Sequence, residues 1–498
     1  MTKLLGLDIG TTGVRCVAID DRGDLVADAS EEYPLYTPQP GWSEQRPEDW
    51  WEASRRVIAS VAARAGRAVS GIGLAGQMHG AVFLDHKDAV IRPALLWNDQ
   101  RTEAQCQAIT ERVGARRLTE ITGNPALTGF QAPKILWLRD EEPTAYERVA
   151  TVLLPKDYIR LKLTGEKATD ASDASGTLLL DLKARTWSSE ILQSLDIPAH
   201  WLPQVHESPE RTGEATNEIA TDLGLPRNIP VAAGAGDNAA AAVGNGIVRD
   251  GLASCSIGTS GVLFAHSDAI ATDPSGRVHA FCHAVPNRYH LMGVTLAAGG
   301  SLRWWRDLVG KGDYEELSAL AEQTPPGAEG LVFLPYLTGE RTPHLDPRAR
   351  GAFVGLTSRH GLGHLTRAVM EGVAYSLRDA LEIIVALGAD PEQIRVTGGG
   401  GRSPFWRQLL ADVLGRPVVR TTADEGPAYG AALLAGVAAG VFGSIAEACA
   451  GISLRPEVCE PTTDRRILYD EYYAIYRDLY PATRSAMHDL SDLARPRD

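Results

Sequence analysis

Positive charge is in short supply: 49 Lys and Arg stand against 63 Asp and Glu, a formal net charge of −14 over 498 residues. Nucleic acid and anionic membrane surfaces both need a basic face, so neither is expected as a bulk partner. Cysteine is scarce as well, with six thiols at 16, 106, 255, 282, 449 and 459, no CxxC pair and no metal-ligand spacing. Sparse thiols of this kind read as small buried residues in a reducing compartment, which makes a cytoplasmic location the expectation. Long apolar runs are missing too. The N-terminal MTKLLGLDIG meets an acid at Asp8 before a signal-peptide core can form. Gly426 to Ala446 carries no charge, but it is mostly Ala and Gly and reads as a buried helix, not a membrane span. No GxxxxGK[ST] loop and no HRD or DFG signature occurs, which excludes two phosphoryl-transfer classes.

What is present is a composition of 44% hydrophobic and 22% charged residues, that of a globular protein, at a length that implies about two to four domains. The most informative stretch is Ile229 to Gly246, IPVAAGAGDNAAAAVGNG. A short apolar strand enters the turn Gly234-Ala235-Gly236, Asp237-Asn238 follow, and an alanine run then predicts a helix. Three readings stand side by side. Asp237 can be an ordinary helix cap, it can be a catalytic carboxylate where ligand meets bare backbone, or Gly234-x-Gly236-x-x-Ala239 can be a dinucleotide turn.

Repetition bears on the choice. Residues 4 to 20 predict a hairpin whose tip, Gly10-Thr11-Thr12-Gly13, offers backbone N–H groups and two hydroxyls to phosphate oxygens. Half a chain length later LASCSIGTSGVL repeats the tip as Gly258-Thr259-Ser260-Gly261. A duplicated hairpin predicts two α/β domains of one architecture facing each other across a nucleotide cleft, a geometry unlike that of a dinucleotide fold with its single glycine turn. Asp8, pointing inward from the first hairpin, needs a partner, and Mg²⁺ beside phosphates is the natural one.

Other stretches are suggestive. SGIGLAGQMHGAVFLD contains a formal GxGxxG, but no helix follows, so it reads as two strands around the turn Gln77-Met78-His79-Gly80. Trp97-Asn98-Asp99 has the makeup of a sugar pocket and equally that of a core Trp before a turn. Residues 101 to 170 alternate helices and turns and read as packing and a lid. Gly398 to Gly401, after a strand and before a helix capped by Ser403 with Pro404 first, suit a flat adenine against bare backbone, or a tight strand-to-helix turn.

Taken together, the chain resembles the FGGY family of carbohydrate kinases from about residue 4 to about 480. The motifs that carry the resemblance are LDIGTTGV (7–14), GWSEQRPEDWW (41–51), GQMHGAVFLD (76–85), LWNDQR (96–101), ITGNPAL (121–127), LLPKDYIRLKLTGE (153–166), GAGDNAAAAVG (234–244), SIGTSGV (256–262), FLPYLTGERTPH (333–344) and GGGGRSPFWRQLLAD (398–412). A family signature also fits Gly351 to Leu356 with His364-Leu365 and Ala368 to Glu371, and Gln131 departs from the Ser, Thr or Pro usual at its position.

The resemblance implies the actin-like ATPase (ribonuclease H-like) fold, with an N-terminal domain over 1–245, a C-terminal domain over 246–445 and a helical tail over 446–498 packed on the second. It implies ATP and Mg²⁺ as cofactors. Within the family an Arg-Glu pair in the loop at 77 to 80 goes with glycerol, whereas Met-His, as in Met78-His79, goes with D-xylulose. The implied sugar site is Met78, His79, Asp237 and Asn238, with Trp97 beside them. The implied base is Asp237, held ionised at its helix end. Asp8 would position the metal, Gly10, Thr11, Thr12, Gly258 and Thr259 the phosphates, and Gly398, Gly399, Gly400 and Ser403 the adenosine. A non-catalytic sugar sensor on this fold would be expected to lack Asp8 or Asp237, and both are present. Oligomeric state has no signal in the sequence, and a homodimer is among the arrangements allowed.

Overall fold

The structure, a computed structural model, describes residues 2–310, 312–422 and 426–494. The first residue of the expected N-terminal domain and residues 495–498 of the expected tail lie outside the described residues. Both hairpins form as expected. Lys3–Ile9 pairs antiparallel with Gly13–Asp20, closing with Ile9 opposite Val14. Leu252–Ile257 pairs with Gly261–Ser267, closing with Ile257 opposite Gly261.

Each hairpin seeds a sheet of the same plan. In the first, Leu25–Glu32 extends the hairpin antiparallel on one side, while Val69–Gly76 and then Pro230–Ala232 continue parallel on the other. In the second, Tyr289–Thr295 is the antiparallel extension, and Gln393–Thr397 and Val418–Val419 are the parallel ones. The two strands expected around Gln77–Gly80 exist but do not pair with each other. Val69–Gly76 enters the first sheet, whereas Val82–Leu84 pairs with Thr151–Leu153.

Helices cover both faces of the first sheet, as its central parallel strands, apolar on both faces, require. Pro47–Ala65 buries Trp50, Trp51, Val57, Ile58 and Val61 on one side. The helices Asp237–Gly244 and Gly426–Ala438 lie on the other. Gly426–Ala438 falls beyond the second hairpin in the chain, yet its Ala428, Ala431, Ala432 and Leu434 share a core with Leu4, Val17 and Ala75 of the first sheet. The alanine and glycine content of this helix lets it sit almost on the strand backbone, and a Cβ on Gly73 would lie 1.8 Å from the Ala431 carbonyl oxygen. No helix among the described residues is long and apolar enough to cross a membrane. The second sheet packs against Leu362–Ala386, and Thr463–Leu493 adds a row of buried tyrosines, Tyr469, Tyr473, Tyr476 and Tyr480, to the same core.

The contact at Gly73 has no slack on either side, because both partners are backbone. Gly73→Ala is expected to destabilise the first lobe by about 3 kcal/mol, roughly 6–12 °C in Tm for a unit of this size, as thermal unfolding followed by circular dichroism would measure.

Candidate active site

The end of the Ile229–Gly246 stretch closes on the tip of the first hairpin. After Pro230–Ala232 the chain forms a two-residue strand, Ala235–Gly236, that pairs with Ala75 and Gly76, while Asp8 pairs with Ala75 from the opposite side. The helix Asp237–Gly244 starts at this point with Gly236 as its N-cap, so Asp237 is its first residue and makes no capping hydrogen bond. The Asp237 carboxylate instead accepts from its neighbour: Asn238 N donates at 2.7 Å and Asn238 Nδ2 at 2.9 Å, both to Oδ1.

Asp8 and Asp237 feel each other's charge. Burial, then the Asp237 carboxylate, push Asp8 up to about 7 against a weaker opposing pull from Arg15. Burial pushes Asp237 up to about 6, with the two Asn238 hydrogen bonds holding it back. Asp237 is expected to stay ionised at its helix end; loss of water makes it a stronger base than a free carboxylate, charged above about pH 6. Asp8 Oδ1 is buried and has no hydrogen-bond partner. Among the described residues no group of three or more His, Cys, Asp or Glu side chains is arranged to hold a metal. One or two carboxylates, with phosphates and water filling the remaining positions, are what Mg²⁺ uses at phosphoryl-transfer sites, so the residues present fit that ion.

The Met78-His79 turn meets the same floor. Met78 is buried against Gly236, where a Cβ would come 2.8 Å from its Cγ. His79 takes a left-handed φ of 69°, and its Nδ1 lies 2.5 Å from the carbonyl oxygen of Gly176. Burial drives the imidazole down to about 3, so it is neutral. With Nδ1 donating to Gly176, Nε2 is left as an acceptor. Phe130 stands edge-on to the ring at 4.8 Å, and Phe281 of the second lobe lies 6.0 Å away. Trp97 is 40% exposed and donates from Nε1 to Thr11 Oγ1 at 2.9 Å, which places it at the hairpin tip. Its neighbour Asp99 points inward, pairing with Arg101 at 2.7 Å and accepting from Ser43 N at 2.6 Å, and so is not free for sugar hydroxyls.

Across the cleft, Gly258, Thr259, Gly399, Gly400 and Ser403 line a cavity of about 720 Å³ together with Tyr314. The four glycines divide by role. Gly398 has a φ of +78° and a Cβ there would meet the Ile257 backbone; Cβ atoms on Gly400 and Gly401 would strike Ile257 and Val396; only Gly399 faces open space. The quartet is therefore chiefly a tight turn folded onto the second hairpin, with a single bare position toward the cavity. Ser403 caps the helix Pro404–Leu414 by accepting from Trp406 N at 3.2 Å. Gly10 and Thr12 lie at the first hairpin tip, where Tyr33 donates its hydroxyl to the Gly10 carbonyl.

Several supporting residues were not anticipated. Gln77 accepts from Thr11 Oγ1 at 3.2 Å and donates to Gln45 at 3.0 Å, and Gln45 in turn donates to the Thr11 carbonyl at 2.7 Å. The hairpin tip and the Met78-His79 loop are thereby wired into one unit. Gln131, the departure from the family pattern, is buried and donates to the Gly80 carbonyl at 2.8 Å, pinning that loop from behind. A polar residue flanking a sugar-loop motif was the available signal for Gln77.

Comparison with known proteins identifies the family. The model of the FGGY family of carbohydrate kinases, N-terminal domain, matches residues 3–244 and that of the C-terminal domain matches residues 253–439. The chain belongs to the FGGY family of carbohydrate kinases. It is 44% identical to the xylulose kinase of Escherichia coli (strain K12), covering 96% of this chain and 98% of that one. It is 42% identical to the xylulose kinase of Lactococcus lactis subsp. lactis, covering 98% and 99%. The crystal structure of a xyloylose kinase from Brucella ovis superposes with a TM-score of 0.92 at 41% identity, over 97% of this chain and 100% of that one.

Raised carboxyl pKa values carry a stability cost with a defined sign. At Asp8 and Asp237 the folded protein holds more proton than the unfolded chain between about pH 4 and 7, so the stability these two groups contribute falls as pH rises through that window. Asp8→Asn is therefore expected to raise the Tm of the ligand-free protein at pH 8, with the gain shrinking toward pH 4, as differential scanning calorimetry across pH would show.

Proposed function

We propose that this kinase transfers the γ-phosphoryl group of ATP to D-xylulose, giving D-xylulose 5-phosphate and ADP. The observation that carries the reading is the meeting of Asp8, Asp237 and the Met78-His79 loop at the tip of one of two duplicated hairpins. The sequence relatives point to the same sugar. Adenosine occupies the cavity beside Gly399 and Ser403, where Phe405, Leu302 and Ala319 supply apolar surface for a base. The backbone amides of both hairpin tips receive the phosphates.

Phosphoryl transfer through a loose transition state needs alignment and charge neutralisation more than strong proton abstraction. As the bond between the terminal sugar oxygen and γ-phosphorus forms, the bond to the bridging oxygen breaks and ADP leaves with the electron pair. The hydroxyl proton passes to Asp237, whose carboxylate is ionised above about pH 6 and close enough to neutrality in pKa to accept it. Asn238 fixes the carboxylate through its two hydrogen bonds. Neutral His79 presents Nε2 as an acceptor for a sugar hydroxyl, and Met78 closes the floor. Mg²⁺ would be held by Asp8 with phosphate oxygens and water, and would supply positive charge against the transferring group. Closure of the lobes excludes water, which otherwise competes with the sugar.

The test is ADP release with Mg·ATP and a panel of D-xylulose, L-ribulose, glycerol and other polyols. D-xylulose is expected to give the highest kcat/KM, and preference for glycerol or L-ribulose would contradict the reading. Asp237→Ala is expected to lower kcat by about 10²–10⁴-fold while nucleotide still binds.

A further inference from the structure

The helix Pro155–Thr164, in the region expected to serve as packing and a lid, buries three charged side chains beneath the active-site floor. Lys156 Nζ lies 2.7 Å from Asp157, 2.9 Å from Asp170 and 3.4 Å from Asp173, with Arg160 3.4 Å from Asp157, and all five side chains are wholly buried. Three carboxyl groups thus face two cations, and burial pushes the Asp173 carboxyl well up. Taking this many charges out of water is costly, and packed apolar side chains would serve stability as well.

The cluster reaches outward to one target. Arg160 donates from Nη1 to the Ala232 carbonyl at 2.8 Å and from Nη2 to the Ala233 carbonyl. Ser172 Oγ accepts from Gly236 N at 3.2 Å and donates to Asp170 Oδ2 at 2.5 Å. Ser208 donates to the same Asp170 oxygen at 2.9 Å, and its carbonyl accepts from Gly234 N at 2.9 Å. Every residue of the turn before Asp237 except Ala235 is therefore held from below, and Ala235 is held by its strand partner Ala75.

We propose that Arg160, Asp170 and Ser172 are positioning residues for phosphoryl transfer, setting through Ala232, Ala233 and Gly236 the direction in which Asp237 leaves the end of the strand. The proposal rests on Asp237 as the base. The charged groups that couple to Asp237 are Asp8 on the first strand and Asp173 below, the latter paired with Lys156 of the buried cluster; the helix Gly426–Ala438 carries no ionisable group other than Tyr429. A carboxylate tilted by loss of its support meets a different balance of these charges.

Ser172→Ala tests this, since it removes one oxygen from a packed site and leaves the ion pairs in place. Rates are normalised to active sites counted by nucleotide binding, and kcat, both KM values and the pH profile are measured with D-xylulose. The expected result is a kcat lower by roughly ten- to a hundredfold with KM for ATP unchanged. The acid limb of the kcat profile should also move by about half a pH unit. Ser172→Thr, which keeps the hydroxyl, should recover most of the loss per active site. Wild-type kcat and acid limb in Ser172→Ala would overturn the proposal, as would a loss equal to the fall in active sites or no recovery in a folded Ser172→Thr protein. Asp237→Ala run in parallel separates failure of this proposal from failure of the base assignment, because only the latter leaves Asp237→Ala active.

Discussion

Two carboxylates, Asp8 and Asp237, converge on one floor. Each is raised by loss of water, and Asp8 is raised further by its neighbour. A folded chain tolerates such a pair only if the surrounding structure holds it against its own repulsion, which a bound proton or a ligand bringing positive charge relieves. The architecture supplies the holding. Parallel strands present both acids at their ends, alanine-rich helices approach the strand backbone closely enough to leave no give, and the buried Lys156–Arg160 cluster anchors the turn from beneath.

The lobes divide the remaining work. The first ties the Met78-His79 loop to the tip of its own hairpin through the Thr11, Gln77 and Gln45 hydrogen bonds, so the sugar and phosphate sites proposed there would share one rigid reference. The second supplies the cavity beside its own hairpin and also sends Phe281 to the wall around His79. A helix from late in the chain, Gly426–Ala438, completes the core of the first lobe.

Much of this was legible in the sequence because it is written in local patterns. The IGTxG repeat, the strand-glycine-Asp turn and the Ser403-Pro404 helix start each have a short-range physical meaning, and each formed where expected. The glycine quartet shows the limit of such reading. Entropy argues that four glycines need a reason, but whether the reason is ligand or neighbouring chain depends on Ile257, far away in sequence. Asp237 likewise read as a helix cap held charged by the helix end, whereas its pKa follows burial, which no local pattern encodes. The Lys156 cluster was read as packing because its partners, Asp170 and the Ala232–Gly236 backbone, come together only in the folded sheet.

With Asp8 pushed up to about 7, the pair of acids holds a proton at pH 6.5 that ligand charge would displace, and calorimetry of Mg·nucleotide-analogue binding at that pH in buffers of different ionisation enthalpy tests this most directly. With D-xylulose present, the account predicts proton release from the protein on binding, much reduced in Asp8→Asn. Binding without proton release, or with release unchanged in Asp8→Asn, would contradict it.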